Sequence, residues 1–337
     1  MTRAIVAACL LALPLGVAER AATSQGERQA PAADRGVLGV MRRDGLLIPF
    51  AAYKGSRWAA PWPATARNLP LPVNLSSIPP AWWGGSAPDS WRLHLAAGTA
   101  RPLAVNAPRV YRTFCDTRLG LLTDYRSDEP VPMPPPAPYP KDGLATSPGL
   151  ELLPIESVDR ASPEAARLAG TLMPEFDKAE EKTVTLIRNM QGWTHPEKRE
   201  ARRARPVTIE AWYRAPLDEP GWTASYVEAV RSYPPGPKDE GCGLETIFTG
   251  WMLENAATPR RAHVQLTARV TYCDRRGATY VLPFGRFRVR DQLYWAYQLS
   301  GFEHEWYVVA RVSPSRVALV VEAYGGGREA CPVGPGP

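Results

Sequence analysis

Long uninterrupted apolar stretches are scarce in this chain. After Ala4–Leu13 no run approaches the ~18 residues that a spanning helix needs, so the sequence after the leader predicts no membrane helix. Histidine is scarce too, with four residues at positions 94, 195, 263 and 304, which leaves few candidates for a general base near neutral pH. The five cysteines contain no C-x-x-C pair, so a structural zinc site or a thioredoxin-type redox centre is not predicted. No G-x-S-x-G, H-E-x-x-H, phosphate-binding loop, G-x-G-x-x-G or calcium loop occurs, and no cofactor or metal is expected. Single-sign charge is also missing. Forty basic residues are interspersed with thirty-four acidic ones, and the densest basic run, Lys198–Arg205, is diluted by Glu200, so nucleic acid is not an expected partner.

What is abundant is proline, with 36 residues, and tryptophan, with 11. The proline content is about twice the ordinary ~5% and points to loops and short strands rather than a helical protein. The start, Met1-Thr2-Arg3 followed by ten apolar residues and then Gly16-Val17-Ala18, reads as a cleavable secretory signal over 1–18. Loss of Arg3 lowers the formal charge from +6 to +5. A periplasmic or extracellular location is expected, where the four remaining cysteines can pair.

Residues 19–35 have no apolar period and read as a disordered leader. From Gly36 the sequence predicts a hairpin, with Val37–Met41 and Leu46–Phe50 joined through Asp44-Gly45. Further strands at Trp91–Leu95, Arg109–Phe114 and Leu119–Asp124 complete a small all-β domain over 36–126. Seven prolines between Pro130 and Pro140 mark a Pro-rich linker, 127–160. A helical segment, 161–205, starts at the Ser162-Pro163-Glu164 cap and is expected to break at Pro174. Its second helix should present Phe176, Ala179, Val184 and Ile187 to the protein and Glu180, Glu181 and Lys182 to water.

From Val207 up to eight strands follow, of which His263–Cys273, Leu293–Leu299 and Trp306–Val312 alternate apolar and polar residues, predicting an antiparallel meander over 206–325, barrel-like or a curled sheet, before a Gly/Pro-rich tail at 326–337. The expected fold class is therefore mostly β, with two β-domains and a short helical insert. If strands run up and down, Cys242, Cys273 and Cys331 gather at one end. Cys242 then lies almost opposite Cys273, and Cys331 is the rival partner for either.

Two functional readings follow. In the first, the protein is a non-catalytic binding or scaffolding protein, its ligand unknown, with carbohydrate or another envelope protein as the expected partner class. Trp82 and Trp83, in a Pro/Gly loop, and Tyr294 and Tyr307, which point away from the inferred core face, are candidates for stacking on a flat ligand. In the second, Cys273 is a nucleophile. The strand Leu266–Cys273 with Arg275 and Arg276 behind it resembles the active-site strand of sortase-type transpeptidases over about ten residues, with Tyr272 where that motif has Thr. The resemblance implies a transpeptidase or hydrolase in which Cys273 and Arg275 work with a histidine, either His263 or His195. Glu303-His304-Glu305 reads as a polar turn, because successive strand side chains face opposite ways.

Overall fold

The computed structural model describes residues 35–63, 66, 74–95, 98–113, 116–133, 138–235, 241–257, 263–302 and 304–327. The expected signal and leader, residues 1–34, Cys115 and the segment containing Cys331 lie outside the described residues. No described helix is long and apolar enough to cross a membrane.

The fold is mostly β, built of curled antiparallel sheets with one helical insert. The N-terminal strands are β1 (Arg35–Arg42), β2 (Leu46–Lys54), β3 (Arg57–Ala59), β4 (Trp91–Leu95), β5 (Ala100–Leu103), β6 (Val105–Thr113), β7 (Asp116–Thr123) and β8 (Lys141–Thr146). They form one sheet in the order β5-β4-β8-β1-β2-β7-β6, with β3 paired to β2. The β1–β2 hairpin turns through Gly45, whose φ of 82° suits glycine. The expected linker is only partly a linker. Its dense proline run ends at Pro140, and the proline-free stretch Lys141–Ser147 that follows contains β8, wedged between β4 and β1. Gly143 permits this fit, since a Cβ there would sit 2.0 Å from the carbonyl oxygen of His94.

The same stretch continues into two short strands, β9 (Leu152–Leu153) and β10 (Glu156–Ser157), each joining a different C-terminal sheet. Helix α1 (Pro163–Gln191) follows, then the short α2 (Arg199–Arg203). Ser162 caps α1 by accepting from the Ala165 amide. Pro174 does not break α1. The helix continues across it because Leu168 and Leu172 before it, and Phe176 and Ala179 after it, are buried in one core cluster against a sheet. Glu180 was expected in water and is 2% exposed. One turn beyond Phe176, it faces Arg231 of the sheet beneath.

All eight C-terminal strands are present: β11 (Thr208–Pro216), β12 (Trp222–Ser232), β13 (Leu244–Asn255), β14 (His263–Tyr272), β15 (Thr279–Val289), β16 (Gln292–Gly301), β17 (His304–Ser313) and β18 (Arg316–Gly327). The curled-sheet alternative is the one realised. β14 and β15 do not pair, so the meander divides into β10-β11-β12-β13-β14 and β18-β17-β16-β15-β9.

The three sheets and the helix stack in layers, as the core clusters show. Helix α1 covers one face of the β10–β14 sheet through Phe176, Val227, Ala229 and Phe248. The opposite face of that sheet, with Ala224, Tyr226 and Leu253, packs on Leu293, Trp295, Tyr297, Val308 and Ala310 of the next. The alternate residues of β16 and β17, Tyr294, Ala296, Tyr307 and Val309, pack on Leu38, Val40, Ile48 and Phe50 of the N-terminal sheet. The far face of the N-terminal sheet is covered by Trp62, Ile78 and Trp83 of its own long loop. The β9, β15–β18 sheet is therefore buried on both faces, and one continuous set of cores joins the two β regions.

Candidate functional site

Cys273 and Cys242 are disulfide-bonded, with their Cα atoms 5.5 Å apart. Pairing of Leu244 with Tyr272 sets the two sulfurs side by side, and the Cys273 amide donates to the Gly243 carbonyl at 3.1 Å. This corrects the nucleophile reading, since a bonded sulfur has no thiolate to offer. The partners also fail to assemble. His263 opens β14 and Cys273 follows its last residue, so ten residue steps of extended chain, ~33 Å, separate them. Arg275, at φ 54°, forks between Glu210 at 2.8 and 2.9 Å and Glu245 at 2.7 Å. Its charge is spent on structure, and these carboxylates raise its pKa. His195 is buried at the α1–α2 connection, where Nδ1 accepts from the Glu197 amide; burial and the nearby Arg202 lower its pKa. Cys273→Ser should cost about 3–4 kcal/mol under oxidising conditions, from the loop closed between residues 31 apart. Denaturant midpoints and one free thiol more than in the parent, at Cys242, check this; an unchanged midpoint refutes it.

The stacking candidates divide differently. Tyr294 and Tyr307 are 3% and 1% exposed and point into the N-terminal sheet, so neither reaches solvent. Trp83 is buried at 4.9 Å between ring centroids from Trp62 and 6.4 Å from Trp91. Trp82 alone is half-buried, edge-on to Trp62. Three of the four rings therefore serve packing: the sheet that carries Tyr294 and Tyr307 is covered on the face the sequence left open, and the loop that carries Trp83 lies over the N-terminal sheet.

A surface cleft of about 460 Å³ nevertheless opens beside Trp83. One turn of 3-10 helix, Pro80–Trp83, ends at Gly84, whose φ of 70° lets the chain reverse, and whose missing Cβ leaves room for Ala52. Gly85–Asp89 then lines one wall, while Arg35, Gly36 and Val37 of β1, Lys54 of β2 and Ser147 line the other. Arg35 donates to Ser86 Oγ at 2.8 Å. Lys54 extends over Gly85, where a Cβ would lie 3.8 Å from its Nζ. Among the described residues, neither Arg35 nor Lys54 forms an ion pair with a carboxylate, and Asp89 is the one acid lining the cleft. The cleft is in the size range of small-molecule sites and offers two cations, a hydroxyl and an apolar floor.

Three other polar groupings are sealed. The Lys141 ammonium reaches Glu305 at 2.8 Å and the Tyr139 carbonyl at 2.5 Å, while Tyr307 donates to the same carboxylate at 2.7 Å. Glu305 thus stands at the start of a strand, 6% exposed, not in a polar turn. Arg231, Glu180 and Asp177 form a second group under α1. Glu228 on β12 is the third. It faces the central sheet and accepts from the Val281 amide at 2.5 Å. Burial chiefly, with help from Glu210, raises its pKa to about 7. A carboxyl that holds its proton more tightly when folded stabilises the fold at low pH. That contribution should be complete below 4.5 and lost as pH rises to about 7. Glu228→Gln should therefore add on the order of 3 kcal/mol of stability at pH 8, and nothing below pH 4. Parallel denaturant melts of variant and parent across pH 4–8 check it, and a pH-independent difference refutes it.

Among the described residues no group of three His, Cys, Asp or Glu side chains is placed to hold a metal ion. Comparison with protein-family models, with curated proteins and with solved structures finds no match to this chain.

Proposed function

We propose that this is an exported, non-catalytic binding protein that holds a small anionic molecule, of the acidic-sugar class, in the cleft beside Trp83. The observation that carries the reading is the placement of Arg35 and Lys54, two cations without carboxylate partners among the described residues, side by side on the β1–β2 wall of a 460 Å³ cleft. A carboxylate can accept from both, and charge-assisted bonds of this kind are the stronger ones. Ser86, already joined to Arg35, supplies polar contact, and Val37, Trp83 and Pro88, which also line the cleft, supply apolar contact for a sugar ring. The Cys242–Cys273 bridge suits an oxidising compartment, which supports export.

Titration calorimetry with digalacturonate and with neutral lactose tests it. Digalacturonate should bind and lactose should not. Lys54→Ala and Arg35→Ala should each weaken binding about tenfold, as expected for loss of one charge-assisted contact. Binding unchanged in the double variant, or no binding of digalacturonate, refutes the reading.

A further inference from the structure

The cleft beside Trp83 carries charge of both signs, and the two signs are kept apart. Arg35 and Lys54 are register partners across β1 and β2, so two cations stand directly opposite each other on neighbouring strands. Like charges in that relation work against the hairpin that holds them, and an anion placed between them relieves the repulsion. Both cations meet the Gly85–Asp89 wall at its start, Arg35 through its bond to Ser86 Oγ and Lys54 beside Gly85. Positive charge therefore gathers at one end of the cleft.

Asp89 stands at the other end of the same wall, three residues beyond Ser86, and three residues of chain reach at most ~10–11 Å. It is exposed, it lines the cleft and, among the described residues, it forms no ion pair and no side-chain hydrogen bond. It does not neutralise the two cations, and it supports no turn or helix end. A ligand in the cleft thus meets a field that runs from a cationic end to an acidic one, over a distance that a single sugar ring spans. A carboxylate alone satisfies the first end and is repelled by the second. An ammonium group satisfies the second end, as a charge-assisted donor to the Asp89 carboxylate.

We infer that the ligand is an acidic sugar that also carries a free amine, with its carboxylate between Arg35 and Lys54 and its ammonium on Asp89. This rests on the reading of the cleft as an acidic-sugar site and names which member of that class it selects. The probe is 2-amino-2-deoxygalacturonic acid, whose two charged groups lie on opposite sides of one ring. Galacturonic acid, with a hydroxyl in place of the amine, is its control. At about pH 6 the amine is charged and the carboxylates are ionised. Calorimetry on the whole protein should show the amino compound binding about tenfold more tightly, as expected for one added charge-assisted contact. Asp89→Asn should bring the two to similar affinity, and Asp89→Lys should reverse their order, while circular dichroism shows an intact fold in both. Equal affinities in the parent, a preference that survives Asp89→Asn, or an order unchanged by Asp89→Lys overturns the inference. Digalacturonate binding to the parent tells the two failures apart. Where it binds and the two monosaccharides bind alike, only the inference falls; where none of the three binds, the reading of the cleft falls with it.

Discussion

Replacing Arg231 with methionine is expected to destabilise the protein by about 3–5 kcal/mol, among the largest effects available to a single substitution in this chain. The side chain is 0% exposed and its two terminal nitrogens reach Glu180 and Asp177, each at 2.7 Å. Glu180 is itself sealed under α1, where it also accepts from the Tyr233 hydroxyl and faces Arg202 at 3.4 Å. Methionine fills much of the space but leaves Glu180 with one cation instead of two, in a setting where an unpaired charge has no water to fall back on. The second substitution decides the cause. Arg231→Met with Glu180→Gln should recover at least half of the loss, since the surviving group is then neutral. Denaturant melts of the two variants give both numbers, and a single variant within 1 kcal/mol of the parent would show that the group is not electrostatically coupled to folding.

Lys141→Met carries an effect of the same size for a different reason. The ammonium is 1% exposed and the Glu305 carboxylate 7%, so both have left water. Burial lowers the lysine's pKa, and the adjoining Glu305 works in the opposite direction. This pair also links β8 of the N-terminal sheet to β17 of the central one. Its loss should cost about 3–5 kcal/mol, and Lys141→Met with Glu305→Gln should return most of it. A double variant no better than the single one would mean that lost packing of the lysine stem dominates. That outcome would refute the electrostatic explanation.

Some strands were legible in the sequence because they alternate, others because apolar runs are bounded by turn residues. His263–Tyr272 lies where its period of two put it. The Cys242–Cys273 pairing followed from the same reasoning, since an up-and-down path brings those two ends together. Strand β8 was hidden, because six residues with a glycine and an alanine, trailing seven prolines, carry little local strand signal. Pro174 misled for a related reason, local propensity having been overridden by burial on both sides of it.

The misplaced tyrosines had a readable sign. Leu293–Tyr297 is an unbroken apolar run, which marks a strand covered on both faces, whereas reading it as alternation assigned Tyr294 to water. The candidate site was the least legible part. Arg35, Lys54 and the Gly84–Asp89 turn are far apart in the chain, and no motif joins them; only the pairing of β1 with β2 brings the two cations together.

The central sheet's double burial sets a timetable for synthesis. The N-terminal sheet is complete in sequence at Thr146, yet the strands that cover Leu38, Val40, Ile48 and Phe50 begin only at Thr279. At ~5–20 residues per second the ribosome crosses that interval in roughly 7–27 s. Throughout it, the nascent chain presents a finished apolar face with nothing to close it. A chain that folded as it was synthesised would keep that apolar face unshielded until the β15–β18 hairpins emerge.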